Sequence, residues 1–118
     1  MAYVTKYRDE DIKVQVKVYD SVAADYIPIL SLASLEVYVI NLVTHRVLQK
    51  YTIAGGGGFR ALIREDDDTY YGWIYDTETV DAKLGKYIVK TIYGITDITL
   101  PDGIDEDSNV EEGFILRP

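Results

Sequence analysis

The chain has 118 residues, with 12 lysines and arginines against 20 aspartates and glutamates, a formal net charge of −8. This length fits a single domain over 1–118, and an apolar fraction of 47% suffices for a hydrophobic core. The absence of cysteine excludes disulfides, thiolate metal sites and thiol catalysis. The acidic balance argues against nucleic-acid binding, and no apolar run reaches the roughly 20 residues of a membrane span. We therefore expect neither nucleic acid nor a membrane among its partners.

Apolar residues alternate with polar ones across 11–20 and again across 34–42. This period of two is typical of strands with one buried face. The residues expected to face the core are Ile12, Val14, Val16, Val18, Leu35, Val37 and Val39. A third strand over 47–53 follows a polar turn at 41–45, so the pair is predicted to form an antiparallel hairpin.

The second half of the chain predicts shorter strands separated by turns. The four glycines of 55–58 cost too much backbone entropy for a strand and predict a loop, as does the acidic run 65–68. One helical turn is expected within 77–82. The remaining strands are predicted over 59–63, 70–76, 85–92 and 113–116, and 95–100 either continues the strand 85–92 or pairs back after a turn at Gly94. Residues 1–10 and 102–112 are expected to be flexible or loop segments.

Seven or eight short strands without a long helix predict an all-β domain. Eleven tyrosines accompany only two phenylalanines, a composition that suits half-buried strands. We favour a β-sandwich of two antiparallel sheets over a barrel.

Acidic clusters at 65–68 and 102–107 offer oxygen ligands of the kind that calcium prefers. Neither has the alternating acids, central glycine and terminal glutamate of an EF-hand loop, so solvated loops are the favoured interpretation. The second cluster, with Asp102, Asp105 and Asp107, is the better calcium candidate of the two. Otherwise no cofactor is expected.

The sequence predicts no enzyme and no catalytic residue. His45 is the only histidine and lies in the predicted hairpin turn without a visible Ser–His–Asp partner set. The glycine run 55–58 is not followed by the Lys-Ser/Thr of a phosphate-binding loop. Glycoside hydrolysis needs two carboxyls across a cleft, and the acids here fall in predicted loops.

An aromatic strand is the most distinctive segment, with Tyr71, Trp73 and Tyr75 on one face. Such a row on an exposed sheet can form an interface or stack on sugar rings. A tryptophan in a sandwich also commonly fills the space between the sheets, and we favour this core position for Trp73. The flanking tyrosines would then reach the rim.

Several short motifs follow one another in a recognisable order. An acidic start leads into the alternating strand 9–16, and the segment Pro28-Ile29-Leu30 leads into the next alternating strand within 28–39. A Gly-x-Tyr strand follows at 85–89, and a proline-containing turn at 100–103 precedes the closing strand. This order resembles the immunoglobulin-like N-terminal domain of phage baseplate upper proteins (the BppU type) and of related tail and receptor-binding-complex proteins.

The resemblance implies an immunoglobulin-like two-sheet β-sandwich and a non-enzymatic structural module of a phage or prophage particle, in the tail, baseplate or fibre attachment. It implies homo-oligomers, contacts with other phage structural proteins, and a place in the virion after assembly in the bacterial cytoplasm. A reducing cytoplasm agrees with the lack of cysteine. The alternative is a carbohydrate-binding β-sandwich module that uses Tyr71, Trp73 and Tyr75.

Overall fold

The computed structural model describes residues 3–118, so the first two residues of the predicted flexible segment 1–10 lie outside the described part of the chain. The strands are β1 (Val4–Tyr7), β2 (Ile12–Val16), β3 (Tyr19–Asp20), β4 (Asp25–Tyr26), β5 (Ser34–Asn41), β6 (Val47–Thr52), β7 (Arg60–Ala61), β8 (Ile63–Arg64), β9 (Tyr70–Ile74), β10 (Gly85–Thr96) and β11 (Ile104–Arg117). Helix α1 covers Asp76–Thr79, close to the predicted helical turn, and a 3-10 turn covers Ile29–Ser31. The all-β class is confirmed.

Two sheets and one small hairpin organise these strands. The large sheet has the order β1-β11-β10-β5-β6-β7, the small sheet has the order β2-β9-β8, and β3 pairs with β4. The prediction of wholly antiparallel sheets is wrong at both edges of the large sheet, where β1 pairs with β11 and β6 with β7 in parallel. Between β6 and β7 the glycines 55–58, all with positive φ, turn the chain twice and return it in its original direction.

The hydrophobic core is one cluster of side chains from both sheets, and it contains all seven residues predicted to face it. Tyr51 of the large sheet is its largest fully buried side chain. Its ring occupies the space over Gly72 of the small sheet, where an added Cβ would lie 2.4 Å from Tyr51 Cε1. The Tyr51 hydroxyl donates a hydrogen bond to the Trp73 carbonyl at 2.8 Å. This contact ties the two sheets together across the core.

The prediction of loop segments is wrong for Val4–Tyr7, which form β1, and for most of 102–112. β10 and β11 form one long hairpin in which Ile104–Glu112 pairs with Ile88–Thr96. The acidic side chains of this segment show no apolar alternation, yet its backbone is held by hydrogen bonds to β10. Strand pairing therefore does not require burial of the side chains.

The helical content of the described residues is confined to α1 and the 3-10 turn. Within that part of the chain, no helix has the length and apolar character needed to cross a bilayer.

Candidate interaction surfaces

The outer surface of the large sheet is rich in aliphatic side chains. Ile88 on β10 lies directly opposite Ile40 on β5, and Ile40 lies opposite Val47 on β6. Directly opposed residues share a face of a sheet, and the chain neighbours Val39 and Tyr87 are buried in the core. Ile40, Val47 and Ile88 therefore point away from the core.

The same rule extends this surface along the sheet. Ile92 follows Ile88 at the strand period, while Tyr38 and Val110 both lie opposite Lys90. The isoleucines and Tyr38 are half-buried, whereas Val47 and Val110 are 47% and 55% exposed. We call this surface the aliphatic face; it comprises Tyr38, Ile40, Val47, Ile88, Ile92 and Val110.

Charged residues on this side of the large sheet nearly balance one another. The register places three acidic and four basic residues there: Glu36, Glu106, Glu112, Lys50, Lys86, Lys90 and Arg117. The Tyr38 hydroxyl donates a hydrogen bond to the Glu36 carboxylate, and this bond raises the pKa of Tyr38. The aliphatic face thus lies on a nearly neutral side of a chain whose net charge is −8.

The outer surface of the small sheet carries aromatic rings. Tyr70, Gly72 and Ile74 are buried, so Tyr71 and Trp73 point outward, and both are half-buried. The prediction that Trp73 fills the core is wrong because the Tyr51 ring already occupies the space over Gly72.

The outward aromatic rings contact each other and a neighbouring cation. The Tyr71 and Trp73 rings meet edge to face, with centroids 5.8 Å apart. Lys13 Nζ lies 4.3 Å from the Tyr71 ring centroid, and Ile63 lies directly opposite Tyr71 with 42% of its surface exposed. We call Ile63, Tyr71 and Trp73 the aromatic face.

Tyr75 lies just past the end of β9, in the residue before α1, and is 46% exposed. The Arg60 guanidinium lies 5.5 Å from its ring centroid and makes a two-pronged ion pair with Glu78. Glu78 also accepts hydrogen bonds from Gln49 and from the Tyr75 backbone N–H. Burial acts to raise the pKa of Glu78, but Arg60 and these donors together lower it. The network joins β6, β7 and α1, and no sequence motif indicated it.

The acidic run 65–68 forms a loop, as predicted, and the carboxylates of Glu65, Asp66 and Asp67 are engaged locally. Glu65 accepts hydrogen bonds from Lys13 Nζ at 2.7 Å and from Gln15 at 3.3 Å. Asp67 pairs with Arg64 at 2.8 Å, and Asp66 accepts a hydrogen bond from the Asp68 backbone N–H. These contacts stabilise a solvated loop.

The residues of the calcium hypothesis do not form a cluster. Asp102 lies in the turn before β11 and accepts a hydrogen bond from the Ile104 backbone N–H at 3.1 Å, while Asp105 and Asp107 lie on the strand. Across residues 3–118, no three acidic, histidine or cysteine side chains come together as a metal site would require.

One side of β11 carries an exposed strand edge. From Ile104 to Glu112 the strand pairs only with β10, and β1 covers the opposite side only from Phe114 to Arg117. All eight residues of Asp105–Glu112 are exposed, and five of them are acidic. Burial, together with nearby Asp107 and Asp20, raises the pKa of Tyr93 on the adjacent strand. We call Asp105–Glu112 the open edge; the only sequence signal for it is a stretch without proline or glycine.

An open cavity of about 610 Å³ lies at one end of the domain, with Arg8, Arg46, Asp81 and Lys83 among its lining residues. Arg8 Nη2 donates a hydrogen bond to the Ala82 carbonyl at 2.6 Å, and its buried Nε has no hydrogen-bond partner among the described residues. His45 lies in the nearby β5–β6 turn with φ of +60°, as the turn prediction requires.

Comparison of the chain with protein-family models, with curated proteins and with solved structures finds no significant match.

Proposed function

We propose that this chain is an immunoglobulin-like β-sandwich domain that serves as a non-enzymatic structural protein of a phage or prophage particle. The attribution to a phage rests on the motif order of the sequence. The mode of action, docking on other proteins through the outer surfaces of its sheets, rests on the aliphatic face. Other phage structural proteins and further copies of the chain are its partners.

The aliphatic face is the observation that carries this proposal. Three isoleucines, two valines and a tyrosine lie side by side on a surface that the core does not need. Burying such side chains against a partner is favourable by about 25 cal/mol per Å² of apolar area. Tyrosine is also enriched at the centres of protein interfaces, because its ring gives a large contact area and its hydroxyl a polar tip.

We propose a second copy of the chain as the occupant of this face. Because the charges on this side nearly balance, two copies related by a two-fold axis can set Lys90 near Glu36 of the other copy without net repulsion. The remaining negative charge of the molecule resides elsewhere, on loops and on Asp105, Asp107 and Glu111, which lie on the other side of β11. A stable contact of this kind buries on the order of 1,200 Å² or more in total.

Light scattering of the purified chain across a dilution series tests self-association. We expect an oligomer that dissociates on dilution, and Ile88→Asp should shift it to the monomer while circular dichroism shows an unchanged fold. Ile98→Asp is the matched control, since Ile98 is 91% exposed in the turn before β11 and lies off the aliphatic face. A strict monomer at high concentration would contradict self-association and confine the proposal to docking on other phage proteins.

A carbohydrate-binding module is the second candidate, and the outward position of Trp73 favours it. Tyr71 and Trp73 form an aromatic surface on the small sheet, and aromatic rings stack on the apolar faces of sugars. Lys13, Gln15 and Glu65 beside these rings supply hydrogen-bonding groups. This function would leave the oligomeric state independent of Trp73.

A further inference from the structure

We propose that the open edge, Asp105–Glu112, is a docking site for a lysine- or arginine-rich extended segment of a partner protein, which joins the large sheet as an added strand. This inference rests on the proposed function as an interaction protein. It names a second surface, which shares only Val110 with the aliphatic face, and the chemistry of the segment that binds there.

The backbone of the open edge is the first requirement for such docking. Among residues 3–118, no strand pairs with this side of Asp105–Glu112, so alternate backbone N–H and C=O groups face solvent. Eight residues of strand extend over about 27 Å, which is long for an uncovered edge. Such an edge is a template for strand addition, in which backbone hydrogen bonds supply affinity and side chains supply selectivity.

The charge of the open edge identifies the occupant. Five of its eight residues are acidic and none is basic. Asp105, Asp107 and Glu111 lie on the side of the core, opposite Ile95, Tyr93 and Val89 respectively, whereas Glu106 and Glu112 lie on the other side. The added strand also has side chains on both sides of the sheet, so its basic residues would lie near carboxylates whichever side they face.

A second copy of this chain is a poor occupant of the same edge. A two-fold axis between Ser108 and Asn109 would set Asp105 against Glu112 and Glu106 against Glu111, and like charges directly opposite each other destabilise a strand pair. In any other register, two paired copies still bring ten carboxylates onto the two adjacent strands. Neighbouring carboxylates then lie within the roughly 10 Å over which charges interact at 0.1 M salt. The same repulsion protects the unoccupied edge from aggregation.

Neighbouring elements define the two ends of the site. β1 enters this side of β11 at Phe114 and runs parallel to it, so an added strand must stop before that residue. At the other end, β11 begins at Ile104, after the turn that leads out of β10. The space between them accommodates a strand of about eight residues.

Fluorescence anisotropy with labelled eight-residue peptides tests the proposal on the full chain. We expect saturable binding of a peptide that alternates lysine and valine, and no binding of one that alternates glutamate and valine. A lysine–valine peptide in which every backbone nitrogen is methylated has the same charge but no N–H donor, and we expect it to bind at least tenfold more weakly. Equal binding of the two lysine peptides would overturn strand addition.

A charge variant of the protein locates the binding site. Asp105→Asn, Asp107→Asn and Glu111→Gln combined should weaken binding of the lysine–valine peptide at least tenfold. The matched control combines Asp67→Asn, Asp68→Asn and Asp81→Asn, which changes the net charge equally away from the edge, at two exposed sites and at the half-buried Asp68. We expect wild-type affinity from the control. Equal losses in the two variants would overturn the site.

Two further measurements test strand addition independently of self-association: hydrogen exchange, and the same titration on a variant that is expected to be monomeric. The lysine–valine peptide should protect backbone amides of 105–112 from exchange, and binding without such protection would contradict strand addition. The titration is repeated on Ile88→Asp. If the wild-type chain binds the peptide but does not self-associate, the open edge is a docking site and the proposed contact through the aliphatic face is wrong. Self-association without peptide binding would leave only this inference in error.

Discussion

The outer surfaces of the two sheets differ in chemistry although both enclose the same core. The large sheet presents branched aliphatic side chains on a side with nearly balanced charges, and the small sheet presents Tyr71 and Trp73 beside an exposed Lys13–Glu65 ion pair. Aliphatic side chains can only gain by burial against another apolar surface, whereas aromatic rings also stack on polar ring-shaped ligands. The difference teaches that one alternating pattern can produce two surfaces suited to different classes of partner.

The largest effect is expected from a substitution in the hydrophobic core, because both sheets pack on it. Val37 is fully buried, and Val37→Asp places an unpaired carboxylate in the core at a cost of several kcal/mol, about the size of a domain's whole stability. We expect the variant to be unfolded by circular dichroism at room temperature. Val22→Asp is the matched control, since Val22 is 94% exposed. A wild-type melting temperature for Val37→Asp would contradict the shared core.

A smaller effect should distinguish the two ion pairs that flank the aromatic strand. The pKa of Glu78 is lowered, so its contacts stabilise the fold above its ordinary value of 4.5 and are lost as pH falls through the lowered pKa. We expect Glu78→Gln to reduce stability at pH 7 by about 1 kcal/mol, because the two-pronged bond with Arg60 is partly buried. The difference from wild type should shrink in acid.

Glu65→Gln is the comparison for Glu78→Gln. The pKa of Glu65 is also lowered, chiefly by its hydrogen bond from Lys13, but both partners are exposed and screened by solvent. Its effect on urea unfolding should therefore be smaller than that of Glu78→Gln and should decrease with added salt. An equal or larger effect for Glu65→Gln would show that the pair on the aromatic face holds the small sheet together.

The smallest effect concerns Trp73, which is the only tryptophan and therefore the only source of indole fluorescence. Because its side chain is half-buried on the aromatic face, we expect iodide to quench it less than free tryptophan but measurably. Glycans that stack on the face would shift its emission, and Tyr71→Ala would remove that shift. If iodide does not quench the fluorescence at all, Trp73 is buried in the core and its outward position is wrong. If no glycan changes the emission, the result favours protein docking over carbohydrate binding.

Sequence reasoning succeeded where side-chain burial and backbone pairing agree. The alternation of Ile12, Val14 and Val16 and of Val37 and Val39 predicted the buried faces of β2 and β5 correctly. It failed for Ile104–Glu112, because acidic exposed side chains gave no periodic signal while β10 supplied the backbone partner. Trp73 failed for a different reason, since its place depends on Tyr51 filling the space above Gly72 from the other sheet.

The amino-acid sequence by itself determined the all-β class, the core positions of the first strands, the hairpin turn around His45 and the glycine and acidic loops. These features follow from local periodicity and from the conformational preferences of single residues. Only the tertiary structure decided the parallel strands at the sheet edges, the outward position of Trp73, the Arg60–Glu78 network and the open edge of β11. Each of these depends on contacts between residues far apart in the chain, and local patterns carry no information about such contacts.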